Sequence, residues 1–376
     1  MAYKLDVVAL TQKLVGFNTV NPPGNEAECA LYLGAILEKA GFRVDYHESS
    51  PGRLELVAHL GNGDTKSPIC LAGHLDTVPL GHEPWTLNPL SGEVKDGKLF
   101  GRGSSDMKGG VAAMVVAAVE LAERIRHSCG ISLIFVTGEE TGCNGSAWLS
   151  KRPELLGKAG ALIVGEPTDN MPFLGHKGAF WLDAVSRGKS AHGSMPQMGE
   201  NAILKAARAM LRLAQFDFKI SDHLYMGAPT LNIGTVKGGM NINSVPDRAH
   251  FSIDIRPIPG LAISTLFSRL KEEVKDLADL DIRLGVEGIW TDPSNAWIKE
   301  VFDLLTPILG KRPDAAAATY FTDAGMLVPG FGGIPAIIMG PGQADMAHRT
   351  DEFCSVFRLN QAVDAYLKIC AAWCGI

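Results

Sequence analysis

The chain has 376 residues, a length at which a single hydrophobic core usually gives way to two. Hydrophobic residues make up 46% of it and charged residues 20%, which is ordinary for a globular protein. A net charge of −6, without a lysine- or arginine-rich stripe, argues against a nucleic-acid partner. The most apolar helical stretch, residues 111–122, is too short to span a bilayer, so we also expect no membrane partner.

The first residues and the cysteines indicate a compartment. Residues 1–14 carry Lys4, Asp6 and Lys13 among apolar side chains, which predicts an amphipathic helix and not a signal peptide. The seven cysteines include no Cys-x-x-Cys pair, which favours reduced and mostly buried thiols. We therefore expect a cytoplasmic protein.

Short apolar runs alternate with helical patterns in the first half of the chain. A helix is predicted over residues 107–123. The predicted strands are 54–60, 69–72, 131–136 and 161–164. Apolar strands interleaved with helices predict an α/β fold whose parallel or mixed sheet is covered on both faces.

The pattern changes after about Gly175 and returns at about Thr291. Between these points the predicted strands are 180–186, 230–236 and 249–255, and the predicted helices are 199–213 and 264–277. Two helices with about four strands make a compact α+β unit whose sheet has one covered face. Beyond it the pattern predicts a helix, a strand at 335–339 and a closing helix at 359–373. The second unit is therefore interpreted as an insertion into the first.

Acidic and imidazole side chains follow the predicted strands at the points where they end. Ligands of open α/β sheets bind beyond the carboxyl ends of the strands, so residues distant in sequence can converge there. A further carboxylate, Asp106, lies in a glycine-rich turn just before the predicted helix. The residues that follow strands are His74, Asp76, Glu139, Glu140, Glu166 and His348.

Each of these signals has an ordinary structural interpretation when it is taken alone. A histidine two residues before an aspartate is common in hydrogen-bonded turns, and a Glu-Glu pair is usually solvated. The Gly-x-Gly turn at 101–103 resembles a dinucleotide-binding loop, but Asp106 stands where that loop has its third glycine. A carboxylate there would repel a pyrophosphate, which argues against a nicotinamide or phosphate-binding enzyme.

Together the residues indicate a two-metal site. Two histidines and three carboxylates form a mixed nitrogen and oxygen set that suits zinc, and also cobalt or manganese. One carboxylate bridging two ions would lower the pKa of a bridging water and polarise a carbonyl at once. Asp76 is positioned to accept a hydrogen bond from the second ring nitrogen of His74. Glu139 remains as an unligated carboxylate beside the metal-bound water, the position of a general base.

Several strings resemble the signatures of one family of dinuclear zinc hydrolases. This family contains acetylornithine deacetylase, succinyl-diaminopimelate desuccinylase, the aminoacylases and carboxypeptidase G. The strings appear in family order over nearly the whole chain. They are Gly-His-Leu-Asp-Thr-Val-Pro (73–79), Gly-Arg-Gly-Ser-Ser-Asp-Met-Lys-Gly-Gly (101–110), Thr-Gly-Glu-Glu (137–140), Val-Gly-Glu-Pro-Thr (164–168) and Ala-His-Gly-Ser-Met-Pro (191–196).

The resemblance implies a role for each metal-site residue. His74 and Glu166 would hold one Zn²⁺, and Glu140 and His348 the other. Asp106 would bridge both ions and be followed by a cis peptide bond. Glu139 would be the general base, and Asp76 would orient the first histidine. The closing loop, Ala347 to Glu352, carries His348 at the spacing that the family shows.

The resemblance also implies the architecture and the remaining site residues. Residues 1–176 and 289–376 would form the catalytic domain, with a mostly parallel mixed sheet between helices. Residues 177–288 would form an inserted lid and dimerisation domain with a four-stranded antiparallel sheet, and the protein would be a homodimer. From this domain His192 would reach the partner subunit's site and stabilise an oxyanion. Asn243 and Arg256 would hold the substrate's carboxylate.

The predicted activity is hydrolysis of a small N-acyl amino acid by a metal-bridged hydroxide. Thr322 lies in a segment where relatives carry substrate-contacting residues. That segment, Tyr-Phe-Thr-Asp-Ala-Gly (320–325), has neither the Gly-Gly-Thr-Ser-Asp-Gly string of the desuccinylase nor the Gly-Thr-Glu-Ala string of the deacetylase. A carboxypeptidase or dipeptidase acting on a dipeptide-like substrate therefore remains an alternative. A metal-binding regulator without activity would be marked by a damaged ligand or base, and none is damaged.

Overall fold

The computed structural model describes residues 5–62 and 66–376. Residues 1–4 of the predicted first helix lie outside this part of the chain. The helices are α1 Val7–Val15, α2 Ala27–Lys39, α3 Gly109–Ile125, α4 Asn144–Ser150, α5 Pro153–Leu156, α6 Ala202–Ala214, α7 Ile263–Val274, α8 Ala296–Leu309, α9 Ala324–Gly330 and α10 Val356–Cys374.

The strands alternate with these helices along the chain. They are β1 Arg43–Ser50, β2 Arg53–Leu60, β3 Ile69–His74, β4 Val94–Lys95, β5 Lys98–Phe100, β6 Ile131–Val136, β7 Ala161–Val164, β8 Gly175–His176, β9 Ala179–Arg187, β10 Thr230–Gly238, β11 Arg248–Arg256, β12 Asp279–Val286, β13 Ile289–Trp290, β14 Ala336–Ile338 and β15 Phe353–Ser355. Two compact units result. One comprises Met1–Gly175, Trp290–Ala316 and Thr322–Ile376, and the other comprises His176–Ile289 and Ala317–Phe321.

The first unit is built on a six-stranded sheet in the order β1-β2-β6-β3-β7-β14. Strands β6, β3, β7 and β14 run parallel, whereas β2 and β1 are antiparallel additions at one edge. Leu71, Leu133 and Ile163 belong to the large core that also contains α3 and α10. The alternate residues Ile134 and Leu162 are buried as well, so both faces of the sheet are covered. The predicted α/β fold with a mixed, mostly parallel sheet is confirmed.

Strand register brings the carboxyl ends of three strands to one edge of the sheet. His74, the last residue of β3, pairs with Val136, the last residue of β6. Two residues earlier on β3, Ala72 pairs with Val164, the last residue of β7. The segments that follow these strands therefore start side by side.

Helix α3 approaches this edge closely because its second residue is glycine. A Cβ atom at Gly110 would lie 2.2 Å from the carbonyl oxygen of Gly165, so no larger residue fits without moving the backbone. Asp106, in the turn just before α3, is thereby held against the segment after β7. The peptide bond from Asp106 to Met107 is cis, as the resemblance implies.

A small three-stranded sheet, in the order β15-β5-β4, was not predicted from the sequence. Phe353 on β15 pairs with Phe100 on β5 in antiparallel register. Because β5 leads into the turn that carries Asp106 and β15 follows the loop that carries His348, this pairing ties the two segments together.

The second unit contains a four-stranded antiparallel sheet in the order β10-β11-β9-β12, as predicted. Helices α6 and α7 pack on it around a core that includes Phe180, Phe251 and Leu266. Helix α6 begins at Ala202 instead of the predicted residue 199 because the Asn201 side chain accepts a hydrogen bond from the Leu204 backbone N–H (3.1 Å) and caps the helix there.

All seven cysteines are free thiols, and six of them are buried, as predicted. Across residues 5–62 and 66–376, no helix has both the length and the apolarity that a bilayer crossing requires.

Candidate metal centre

Five predicted ligands belong to the first unit, and the structure brings them together at the carboxyl edge of its sheet. His74 ends β3 and is 1% exposed, and Glu166 follows β7 and is 4% exposed. Glu140 follows β6, and Asp106 lies in the turn before α3. His348 is the exception in burial, because 57% of its side chain is exposed.

Asp106 lies between the two histidines, with one carboxylate oxygen towards each. Its Oδ1 atom is 3.1 Å from Nε2 of His74, and its Oδ2 atom is 3.4 Å from Nε2 of His348. On the first side, Nε2 of His74 is also 3.9 Å from Glu166 Oε2. On the second side, Nε2 of His348 is 3.1 Å from Glu140 Oε2. Ligand atoms of His74, Asp106 and Glu140 all lie within 4.8 Å of one another.

The chemistry of this set fits divalent cations. Oε1 of Glu140 and Oε1 of Glu166 are buried, and neither has a hydrogen-bond partner in the part of the chain that the structure describes. Buried carboxylate oxygens without donors are costly unless a cation compensates them. Imidazole nitrogens and carboxylate oxygens at this spacing are ligands for zinc and for related transition metals. The arrangement therefore matches the donors that a metal pair needs.

The pKa values of the site also indicate that it is suited to a cation. Burial raises the pKa of Glu166 well above its usual value, against the opposing charge of His74. Hydrogen bonds to Asp106 and Glu140 raise the pKa of His348 to about 10. When no cation is bound, these raised pKa values favour the protonated forms of Glu166 and His348. Metal ligands must give up such protons when an ion binds.

Glu139 lies beside the ligands and is almost fully buried. Burial, together with the nearby Glu166 carboxylate, raises the pKa of Glu139 well above its usual range. The thiol of Cys143 donates to Oε1 of Glu139 across 3.8 Å. A carboxyl group with a raised pKa can take a proton and return it at neutral pH, which is the behaviour of a general base.

Asp76 contacts His74 differently from the expectation. Nδ1 of His74 lies 2.9 Å from the backbone carbonyl oxygen of Asp76 and 3.6 Å from its carboxylate. The carboxylate instead accepts hydrogen bonds from the backbone N–H groups of Glu139 (3.1 Å) and Glu140 (3.3 Å). Asp76 therefore supports the loop that follows β6 as well as the imidazole.

A second carboxylate, Glu352, supports the turn that carries Asp106. Its two oxygens accept hydrogen bonds from the backbone N–H groups of Gly103 (3.0 Å), Ser105 (2.8 Å) and Asp106 (3.0 Å). NH1 of the buried Arg102 lies 2.8 Å from the same carboxylate. The sequence gives Glu352 a place in the closing motif but no indication of these contacts.

Asp323 is a buried residue that sequence reasoning missed. It is fully buried, and its carboxylate accepts a hydrogen bond from the Ser146 hydroxyl at 2.5 Å. Burial raises the pKa of Asp323 to about 6. Its neighbour Thr322, predicted to contact substrate, is also buried, and its hydroxyl oxygen accepts from the Ala324 backbone N–H at 3.1 Å.

The other predicted site residues belong to the second unit. His192 is exposed, and its Nδ1 atom lies 2.7 Å from the Ser194 hydroxyl. Asn243 is adjacent, because its carbonyl oxygen accepts from the Gly193 backbone N–H at 2.8 Å. Arg256 ends β11 and pairs with Asp254 at 2.9 Å. The structure thus brings His192 and Asn243 together within this unit.

Comparison with known proteins identifies the family. Residues 70–372 match the profile of peptidase family M20/M25/M40. The chain is 31% identical to a probable succinyl-diaminopimelate desuccinylase of Staphylococcus epidermidis, over 98% of both chains. It is 28% identical to an acetylornithine deacetylase of Vibrio campbellii, over 91% of this chain and 90% of the relative.

Solved structures share the fold at lower sequence identity. The M20 family metallo-carboxypeptidase Sso-CP2 of Sulfolobus solfataricus aligns with a TM-score of 0.82 and 18% identity, over 99% of this chain and 100% of that one. A dinuclear metal-binding peptidase of the M20 family from Bacillus subtilis aligns with a TM-score of 0.73 and 14% identity, over 98% of each chain.

The protein is accordingly a metal-dependent hydrolase that acts on amide bonds. It belongs to peptidase family M20/M25/M40, and the family resemblance expected from its motifs is confirmed.

Proposed function

We propose that this hydrolase removes the acyl group from a small N-acyl amino acid, in a site that holds two Zn²⁺ ions. The observation that carries the proposal is the position of Asp106 between two histidines. Its two carboxylate oxygens lie 3.1 Å from Nε2 of His74 and 3.4 Å from Nε2 of His348. The names of the relatives that match nearly the whole chain, a desuccinylase and a deacetylase, support an acyl substrate.

In this proposal the ligands divide into two sets that share Asp106. His74 and Glu166 would hold one ion, and Glu140 and His348 would hold the other, with Co²⁺ or Mn²⁺ able to substitute. When bound, the metal pair polarises the scissile carbonyl and makes a water molecule more acidic. The protein's own residues then bind the substrate and move the protons.

Glu139 carries out the proton transfers. Its carboxylate accepts a proton from the attacking water, and the resulting carboxyl group donates that proton to the nitrogen of the leaving amine. Its burial beside like charges supports this role, because both factors favour the protonated form that the second step needs.

Residues of the second unit position the substrate, and Thr322 contacts it. Arg256 binds the substrate's carboxylate through its planar guanidinium group, and Asn243 donates to the same carboxylate. His192 of a second copy of this chain stabilises the oxyanion of the tetrahedral intermediate. In the domain assignment that goes with these roles, residues 177–288 act as the lid and dimerisation domain of a catalytic domain formed by 1–176 and 289–376.

A homodimer built through the second unit is part of the proposal. Strand β10 is an edge strand, and edge strands can pair with a second copy. Large apolar side chains are exposed on it, in the loop that follows it and on the neighbouring helix α6, which supports a protein interface there. They are Ile203 (40%), Leu204 (55%), Leu211 (67%), Val236 (60%), Met240 (83%) and Ile242 (103%).

The dimer is tested with one variant in the loop that follows edge strand β10 and one on the opposite edge strand of the same sheet. Met240→Asp combined with Ile242→Asp should give a monomer in light scattering. Ile282→Asp, on the other edge strand β12, should leave the dimer intact, although Ile282 is also 50% exposed. A wild-type monomer, or a dimer that survives both aspartates, would contradict this interface.

We also propose that the protein is cytoplasmic. The seven free thiols support it, because thiols persist in a reducing compartment.

The activity is tested by amine release from a panel of N-acetyl, N-succinyl and N-aminoacyl amino acids. We expect the N-acetyl or N-succinyl compounds to give the highest kcat/KM. Faster cleavage of the N-aminoacyl compounds would favour the alternative, a carboxypeptidase or dipeptidase, which the description of the family as a peptidase supports. A chelator should abolish turnover and Zn²⁺ should restore it. Turnover by metal-free protein would contradict the proposal.

A further inference from the structure

The segment Thr19–Asn21 runs beside the three residues that follow His74. The Thr77 backbone N–H donates to the Thr19 carbonyl (3.0 Å), and the Asn21 backbone N–H donates to the Thr77 carbonyl (2.8 Å). The Thr19 hydroxyl also donates to the Leu75 carbonyl at 2.6 Å. The backbone of Asn21 is therefore fixed against the end of β3, although it precedes the residues 70–372 that match the family profile.

The side chain of Asn21 connects this strand end to the loop after β6. Its Nδ2 atom donates to Oδ2 of Asp76 at 2.8 Å and to the hydroxyl oxygen of Thr141 at 3.0 Å. Asn21 is 4% exposed and Asp76 is fully buried, so water does not compete strongly for the contact between them, whereas Thr141 is exposed. A side-chain amide offers two N–H donors, and both are used here.

Both acceptors of the Asn21 amide act on the same short loop. The Asp76 carboxylate accepts from the backbone N–H groups of Glu139 and Glu140, and Thr141 is the next residue along the chain. The amide therefore holds the loop at its end and, through Asp76, at its centre. A carboxylate in place of the amide would face Asp76 at the same short distance and repel it.

We propose that Asn21 is a positioning residue of this hydrolase, which fixes the backbone of Glu139 and Glu140 through Asp76 and Thr141. The inference rests on the proposed roles of those two glutamates. Hydrogen-bond partners that orient metal ligands typically change metal affinity or activity about 10- to 100-fold when they are removed. Asn21 touches neither substrate nor metal in this scheme, so its removal should lower kcat and metal affinity and leave KM nearly unchanged.

The test compares Asn21→Ala with a matched control, Asn144→Ala. Nδ2 of Asn144 also donates to the Thr141 hydroxyl at 3.0 Å, but Asn144 is exposed, and within residues 5–62 and 66–376 its side chain makes no hydrogen bond to Asp76. We expect Asn21→Ala to lower kcat and Zn²⁺ affinity, measured by calorimetry on metal-free protein, each by about tenfold or more. Asn144→Ala should change neither by more than about twofold, within the usual effect of an exposed substitution.

Two further variants separate positioning from general stability. Asn21→Ala should cost less Zn²⁺ affinity in the Asp76→Ala background than in the wild type, because the contact between Asn21 and Asp76 is already lost there. Asn21→Ser keeps a polar group but removes the second donor. It takes the place of Asn21→Ala if Asn21→Ala does not unfold cooperatively, and the same criterion then applies to it.

The inference is overturned if Asn21→Ala, assayed well below its Tm, keeps kcat and Zn²⁺ affinity within about twofold of the wild type. Full additivity with Asp76→Ala would also overturn it. Failure of the proposed function gives a different result. In that case the wild type binds Zn²⁺ but releases no amine from the panel, and the Zn²⁺ affinities still decide whether Asn21 positions the loop.

Discussion

His74 is the last residue of a buried strand, whereas His348 lies in an exposed loop. His74 is 1% exposed and flanked by parallel strands. The side chain of His348 is 57% exposed, and its backbone has a left-handed φ of 64°. The two histidines approach the same carboxylate, that of Asp106. The sheet therefore provides one side of the candidate metal centre, and a loop completes the other.

Buried carboxylates support the backbone that carries the other candidate ligands. The turn of Asp106 is held by Glu352, and the loop of Glu139 and Glu140 is held by Asp76. These contacts are buried, and each joins a side chain to backbone N–H groups. We therefore expect changes at the buried groups, including His74, to cost stability, and changes at His348 to cost metal binding with little loss of stability.

Removing the Glu352 carboxylate should have the largest effect on stability. Glu352→Ala leaves the buried guanidinium of Arg102 without its carboxylate partner and three backbone N–H groups without acceptors. We expect the free energy of unfolding to fall by about 3–5 kcal/mol. Urea denaturation of metal-free protein measures it. Asp279→Ala, which breaks an exposed pair with Arg187, is the control, and an equal loss in both variants would contradict the prediction.

The stability of the protein should depend on pH through Glu55, which holds the start of the loop that follows β6. Its carboxylate accepts from the backbone N–H (2.9 Å) and the hydroxyl (2.6 Å) of Thr137. Burial raises the pKa of Glu55 from 4.5 to about 7, although hydrogen bonds from Ser49 and Thr137 oppose the shift. The folded protein therefore binds this proton more tightly than the unfolded chain does.

The stabilisation from the Glu55 proton is complete below pH 4.5 and is lost as the pH rises through about 7. We expect a loss of about 3 kcal/mol across that window. Glu55→Gln should flatten this part of the stability profile, whereas Glu300→Gln, on an exposed helix position, should leave it unchanged. Urea denaturation between pH 4.5 and 7.5 measures the slope, and identical slopes in all three proteins would refute the assignment.

The smallest effect on stability is expected at His348. In metal-free protein, His74→Ala removes the imidazole that lies nearest to the buried carboxylates of Asp106 and Glu166, and should cost about 1–3 kcal/mol. His348→Ala should cost less than about 1 kcal/mol, because its side chain is largely solvated. Both variants should bind less Zn²⁺. Equal losses of stability would show that the two sides of the site are held alike.

The sequence predicted the parts of the molecule that depend on local pattern. The apolar runs of β3, β6 and β7 marked strands that are buried throughout, and their ends marked the ligands. Strand β1 was missed because its sequence, Arg-Val-Asp-Tyr-His-Glu-Ser-Ser, is mostly polar. Such a strand is stable at an edge, where it pairs only with β2.

The supporting residues could not be predicted, because their partners are distant in sequence. Asn21 is 55 residues from Asp76, Asp323 is 177 residues from Ser146, and Glu352 is 246 residues from Asp106. No local periodicity or motif records such a hydrogen bond. These contacts exist only after the sheet has formed and has brought the loops to one edge.

The most direct test of the central claim measures bound metal and turnover on the same sample of Glu139→Ala. If Glu139 transfers protons and binds no metal, the variant should retain two equivalents of Zn²⁺ per chain after reconstitution. Its turnover should fall by about 10²- to 10⁴-fold, the range expected for a lost general base. Retained turnover with both metals bound would contradict the account.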